Sequence, residues 1–205
     1  MALGEHHKVY PALDHLLFVK IGTGIGCGII LGGQLHRGAN GAAGDIGHIR
    51  VPDSDALCRC GNLGCLEAVA GGHALAQRLA GKGLGTKIAR GVAELVANGN
   101  PLARQEIRVA AQHIGGVLAT LVSFANPSAI VIGGALAPPD EALLAGIRSG
   151  IYDRALPLAT RSLPIEASKL GERAGTEGAI ALAQRSALSA EGVAALLRAR
   201  HHPSS

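Results

Sequence analysis

Residues Gly44 to Glu67 read Gly-Asp-Ile-Gly-His-Ile-Arg-Val-Pro-Asp-Ser-Asp-Ala-Leu-Cys-Arg-Cys-Gly-Asn-Leu-Gly-Cys-Leu-Glu and hold three of the four cysteines in the chain. Cys58, Cys60 and Cys65 follow a C-x-C-x4-C spacing, with His48 ten residues before the first. Zinc takes four ligands in a tetrahedron, drawn from thiolate and imidazole, and three Cys with one His make such a set. Sulfur-rich ligation favours zinc over harder cations such as magnesium or calcium. Gly61 and Gly64 lie inside the loop, where a tight turn around an ion needs backbone freedom. The competing reading is ordinary buried thiols, or a disulfide with one cysteine spare. An odd cluster of three suits a disulfide framework badly.

Gly-Asp-Ile-Gly-His followed by Cys-x-Cys-Gly-x-x-Gly-Cys-Leu-Glu resembles the signature of the ROK family, which contains bacterial sugar kinases and sugar-responsive transcriptional repressors. The resemblance implies that His48, Cys58, Cys60 and Cys65 bind zinc, and that Asp45, His48 and Glu67 contact a sugar. The family more often carries Glu at the position of Asp45, so the side chain here is one methylene shorter. The chemistry suits those roles. A metal-bound imidazole has its second nitrogen fixed in tautomer and direction, and carboxylates accept hydrogen bonds from hydroxyl groups. Read alone, Asp45 and Glu67 are equally well surface carboxylates or charges in a helix first turn.

The 205 residues suffice for one large domain or two small ones. Hydrophobic residues make up 48% and charged residues 17%, which excludes a disordered chain. Aromatics are only 2%, without Trp, so the core must be built from Ala, Leu, Val and Ile. No uninterrupted apolar run reaches the ~18 residues that span a bilayer, and no leader or lipidation motif is visible. These features and the cysteines point to a reducing cytoplasm, with no membrane partner. The net charge is +4 with scattered Lys and Arg. The nearest cluster, Arg198, Arg200, His201 and His202, reads as a solvated tail rather than a nucleic-acid surface.

Along the chain, Leu16 to Ile21 and Cys27 to Leu31 are apolar runs joined by Gly22-Thr23-Gly24-Ile25-Gly26, a hairpin with a glycine-rich turn. Successive N–H groups in such a turn can cradle a phosphate, and the motif resembles a phosphate loop of actin-like sugar kinases; a plain tight turn is the alternative. Cys27 reads as a small buried hydrophobe. Gln34-Leu35 is a short strand, and Asn40 in the following small-residue loop is a possible sugar contact by resemblance. A helix from Ala68 to Ala80 is interrupted near Gly71-Gly72, and Ile88 to Ala97 is a second helix. Asn100-Pro101 opens the longest helix, with a cap and a first-turn proline. Its apolar residues recur at three- and four-residue steps to Val122. Gly115-Gly116 within it costs about 1 kcal/mol per glycine relative to alanine, which close approach of another element would offset. Ala129 to Ile132 is a buried strand ending in Gly133-Gly134, which by resemblance borders the adenosine of ATP. Helices follow at Glu141–Tyr152, Thr176–Arg185 and Ala190–Arg200, with a strand at Leu163–Ala167.

Alternating strands and helices give an α/β layered fold. The resemblance, which covers Leu16 to Ala183, implies the actin-like (ribonuclease H-like) ATPase-type fold. It places this chain mainly in the second, C-terminal domain, over residues 1–186, with residues 187–205 as a terminal helix and tail. Met1 to Lys8 reads as the end of a helix. In the family, a similar Ala-Leu-Gly-Glu-His segment follows an Asn-Asp pair that carries the kinases' catalytic base; here that pair would fall before Met1. Neither that pair nor an Asp-x-Gly-Gly-Thr phosphate loop occurs in the sequence. The expectation is an N-terminally truncated, non-catalytic chain. Its function would be that of the sugar-sensing, zinc-binding part of a transcriptional regulator that meets DNA only through a missing N-terminal region. The alternative is the C-terminal part of a hexose kinase, for which Gly22, Thr23, Gly24, Gly26, Gly133 and Gly134 would serve ATP and magnesium. Either implies a small sugar or sugar phosphate as ligand, and a homo-oligomer.

Overall fold

Strand β1 (Leu16–Ile21) is apolar at every position except Lys20, as expected for a strand buried on both faces. It is the centre of the sheet in this computed structural model, which describes residues 1–86, 88–137 and 141–201. Five strands stand in the order β3-β2-β1-β4-β5, with β2 (Ile25–Leu31), β3 (Gln34–His36), β4 (Ala129–Gly133) and β5 (Ile165–Ala167). The first three pair antiparallel as a meander, whereas β4 joins β1, and β5 joins β4, in parallel. Alternation along β1 separates two cores. Leu17, Val19 and Ile21 join the larger, with Ile130 and Ile132. Leu16 and Phe18 join the smaller, with Ala2, Val131 and Ala174. Helices therefore cover both faces, and the α/β, actin-like expectation is borne out.

The larger core is built on α5 (Pro101–Ala125), with α2 (Leu66–Ala70), α3 (Gly72–Gly81), α4 (Ala89–Ala97) and α6 (Glu141–Tyr152) around it. Asn100 caps α5, its Oδ1 accepting the backbone N–H groups of Leu102 at 3.0 Å and Ala103 at 3.1 Å. The helix stops at Asn126, which adopts the left-handed conformation. By length and composition alone, α5 is apolar enough to cross a membrane, with a mean hydropathy of 1.3 over its most apolar 18 residues. Arg104, Glu106, Arg108 and Gln112 interrupt it, so no uninterrupted apolar run of that length occurs. Its apolar positions, among them Ile107, Ile114, Leu118 and Val122, are buried in the protein core. A Cβ on Gly115 would lie 2.7 Å from the Ile147 carbonyl, and one on Gly150 would lie 3.0 Å from Gly115 Cα. Backbone-to-backbone packing of α5 on α6 is thus the close approach that the glycine pair implied.

The smaller core holds α1 (Ala2–Val9) and α8 (Ala174–Ala187). A Cβ on Gly4 would meet the Ala174 carbonyl at 2.5 Å, so the two helices touch through their backbones. Glu5 is fully buried and accepts hydrogen bonds from Ser168 Oγ at 2.8 Å and the Lys169 N–H at 2.6 Å, tying α1 to the loop after β5.

Three expectations need adjustment. The hairpin turn is shorter than Gly22–Gly26, because Ile25 pairs with Ile21 and Gly26 with Lys20 inside the β1–β2 ladder. The interrupted helix is two helices, separated at Gly71, whose extended backbone accommodates the hairpin turn: the Gly72 N–H donates to the Gly22 carbonyl at 2.8 Å and the His73 N–H to that of Thr23 at 3.1 Å. The strand expected from Leu163 begins at Ile165, since Pro164 lacks the N–H a ladder needs. The sequence reading also passed over α7 (Pro157–Thr160), a single turn opened by proline. The C-terminal helix α9 runs Ala190–His201; the tail expected beyond it lies outside the described residues.

Candidate metal centre and adjoining clefts

Two glycines seat the start of the Gly44–Glu67 stretch on β2. Gly44 has φ +92, and a Cβ there would fall 1.7 Å from the Cys27 carbonyl oxygen; one on Gly47 would fall 2.3 Å from that of Ile25. Between them the chain makes a short 3-10 turn, Ile46–His48, which buries Ile46 and leaves His48 facing outward. The loop beyond is stitched by backbone hydrogen bonds from Val51 to Gly64, Gly64 to Ala56, Cys58 to Asn62 and Leu66 to Ile49, all between 2.8 and 2.9 Å. Gly61 and Gly64 have φ +91 and +72, so the loop does need the conformations glycine supplies.

This folding brings His48, Cys58, Cys60 and Cys65 together, with one donor atom from each lying within 4.8 Å of all the others. His48 Nδ1 stands 3.6 Å from Cys58 Sγ, and Cys60 Sγ stands 3.7 Å from Cys65 Sγ. All three cysteines are free thiols, so the disulfide alternative falls. The group could hold a metal ion. A backbone hydrogen bond from Asn62 pulls the Cys60 thiol down to about 7, whereas burial and then the neighbouring thiols push Cys65 up to about 12. A cation between them would hold both as thiolates.

Two of the expected sugar contacts, Asp45 and Glu67, lie beside this cluster. Glu67, in the first turn of α2, places Oε1 3.8 Å from Cys58 Sγ, and its other oxygen occupies the space that a Gly24 side chain would fill. His48 Nε2 points to the Asp45 carboxylate at 3.9 Å, beyond hydrogen-bond reach. Both groups are therefore available to a ligand. Asn40 is exposed in the loop before them, and among the described residues no hydrogen bond ties it to the group. Arg59, which the sequence reading missed, stands 3.5 Å from Glu67. Its place between two clustered cysteines was the available signal. A cleft of about 170 Å³ opens next to Glu67, walled by Thr23, His73 and Gln77.

Cys27 is buried away from this centre, and burial pushes its thiol up to about 12, in keeping with the reading as a core residue. The other expected residues lie at the carboxyl ends of the parallel strands. Gly134, with φ +100, closes onto Ile21, so that the turn at Gly22–Gly24 and the end of β4 lie side by side. Gly134 and Lys20 line a cleft of about 680 Å³ with Ala93, Ala97 and Ala137, and Arg90 pairs with Glu172 at its rim. Gly133 packs instead under the Phe18 ring, which a Cβ would strike. In open α/β sheets, ligands enter at this end of the strands.

A family model described as ROK family matches residues 1–186. The chain is 33% identical over 199 residues to the DNA-binding transcriptional dual regulator NagC of Escherichia coli strain K12, covering 92% of this chain and 49% of that protein. It thus spans about half the length of this curated relative. Among solved structures, a ROK family transcriptional regulator, a homolog of the E. coli MLC protein, superposes with a TM-score of 0.80 at 28% identity, over 89% of this chain and 49% of that one. A ROK family glucokinase from Streptomyces griseus, in complex with glucose and AMPPNP, gives 0.77 at 33% identity, over 90% and 65%.

Proposed function

Because this chain belongs to the ROK family, we propose that it is the sugar-sensing part of a transcriptional regulator, built on a structural zinc ion held by His48, Cys58, Cys60 and Cys65. The carrying observation is the donor geometry. Two sulfurs each 2.3 Å from a shared tetrahedral zinc stand about 3.8 Å apart, and a sulfur and a nitrogen about 3.5 Å apart. The distances here are 3.7 Å and 3.6 Å. Such an ion takes His48 through Nδ1 and leaves Nε2 free, 3.9 Å from the Asp45 carboxylate. Its contribution is positional: it fixes the imidazole and the start of α2, so that two carboxylates and one N–H face the same hydroxyl-bearing ring.

In this reading residues 1–186 are the second of two hinged domains, and residues 187–205 a terminal helix and tail. Sugar is bound between this domain and one outside the chain. The sugar's differential affinity for the open and closed arrangements shifts the population that binds DNA in the cytoplasm, and the regulator acts as a homo-oligomer. The relatives' names support a sugar-linked role without separating regulator from kinase. The second reading, the C-terminal part of a hexose kinase, draws on the cleft at Gly134 and the hairpin turn at Gly22, Thr23 and Gly24, with Gly26 behind it. These would meet the phosphates and adenosine of magnesium-ATP.

Two measurements test the proposal. Elemental analysis should give about one zinc per purified chain, and none in Cys58→Ala. Titration with glucose, xylose and N-acetylglucosamine, each with and without a phosphate, should find one that binds the wild type and is lost in His48→Ala. Hexose-dependent ADP release by the chain would favour the kinase. A folded wild type free of zinc would remove the ground for the sugar contacts.

A further inference from the structure

A third pocket, of about 400 Å³, lies between the solvent side of α5 and the segment Ile49–Pro52. Its polar rim is Arg50, Arg154 and His113, with Thr120 beyond, and its apolar floor is Val51, Pro52 and Val117; no Asp or Glu lines it. Among the described residues, Arg50 has one loose, exposed partner, Asp55 at 3.9 Å. Among the described residues, the Arg154 side chain makes no hydrogen bond or ion pair; its backbone N–H donates to the Ile151 carbonyl at 3.2 Å. Its guanidinium is nevertheless seated, because it lies where a Cβ on Gly116 would be, with Nη1 2.6 Å from that position. A helix-interior glycine thus makes room for a guanidinium that pairs with no carboxylate among the described residues. Burial first, then Arg78 and Arg154, hold His113 below its ordinary value, so near neutral pH it is an uncharged donor beside the two guanidinium groups. Two forked cations over an apolar floor fit one class of ligand: a phosphate ester with an apolar or planar body, which takes bidentate bonds from arginine.

We propose that this pocket binds a small organic phosphate through Arg50 and Arg154, at a site separate from the sugar-binding face. The wall is the backbone that leads from His48 and bridges to Cys65, so the ligand would rest directly against the metal-bearing stretch. The proposal does not depend on the regulator reading.

The test is titration of the full chain with phenyl phosphate, which has no sugar hydroxyls, and with phenol as the uncharged counterpart, at constant ionic strength. Phenyl phosphate should bind at least tenfold more tightly than phenol. Arg154→Gln and Arg50→Gln should each weaken it at least fivefold, with Arg108→Gln, an exposed arginine elsewhere on α5, unchanged. Gly116→Ala, which fills the seat and favours the helix, should weaken binding while circular dichroism stays native. Equal affinity in wild type and both arginine variants overturns the proposal. So does a change of oligomeric state in Arg154→Gln with phosphate affinity intact, which would make the pocket a subunit contact.

Discussion

Glu106 shows how a single carboxylate can report on the fold. It projects from α5 and accepts Arg78 Nε at 2.7 Å and Lys82 Nζ at 2.6 Å, which joins α5 to α3. Burial by itself raises its pKa, but the bonds from Lys82 and Arg78 outweigh burial and hold it below the ordinary value. A folded pKa below the unfolded one stabilises the protein above the unfolded value, about 4.3, and that stabilisation is lost as pH falls through the folded value. Glu106→Gln should therefore cost about 1–2 kcal/mol at pH 7, the partial exposure of Arg78 and Lys82 keeping the figure low. The difference in melting temperature between wild type and variant should shrink from pH 7 to pH 3; a constant difference would show that packing, not the ion pairs, is responsible. Asp45 offers a second test at this scale. Its carboxylate stops 3.9 Å short of His48 Nε2, so Asp45→Glu, one methylene longer, should tighten the sugar found to bind His48, as measured by calorimetry. The four residues that could hold a metal ion were legible because thiols and imidazole clustered in sequence have few other uses. Arg154 was not, since nothing in the sequence ties it to Gly116 or Arg50.

At the scale of elements, the Gly44–Glu67 stretch is a surface loop pinned to a strand. Gly44→Ala would place a methyl group on the Cys27 carbonyl and demand a positive φ of an L side chain. It should cost at least ~2 kcal/mol in urea denaturation, through clash and backbone strain together, and should lower zinc occupancy as the loop lifts from β2. An unchanged stability would mean that the stretch docks less tightly than this geometry requires. The long helix α5 was legible because its cap, its proline and its 3.6-residue apolar spacing agree. The break at Gly71 was only half legible, because its cause is tertiary: the Gly22–Gly24 turn supplies the carbonyls that the start of α3 binds. The single turn at Pro157–Thr160 is too short for any periodicity to mark it.

For the whole molecule, the two cores sort the consequences of metal removal. The sheet is held mainly by Leu17, Phe18, Val19, Ile130 and Ile132, and the stretch adds Ile46, Val51 and Leu66 to the edge of the larger core. Chelation should therefore unfasten the loop without melting the sheet. Hydrogen exchange should quicken at residues 49–66 while β1 and β4 stay protected, with the melting temperature falling by several degrees. Loss of protection throughout would show that the ion is part of the global folding unit. The sheet's layered pattern could be read strand by strand, but its order could not, because β4 reaches β1 only after the long excursion from Ile21 to Ala129. That parallel pair also sets a timetable for synthesis. The meander β1-β2-β3 leaves the ribosome first, with one edge of its most apolar strand unpaired, and its partner follows on the order of ten seconds later at ordinary translation rates. Meanwhile the cysteine loop, closed entirely within residues 48–65, would be free to capture the proposed ion. The nascent chain thus passes through an interval in which its cysteine and histidine donors are all present and its central strand remains a sticky edge, when a chaperone or premature pairing with another chain would decide its fate.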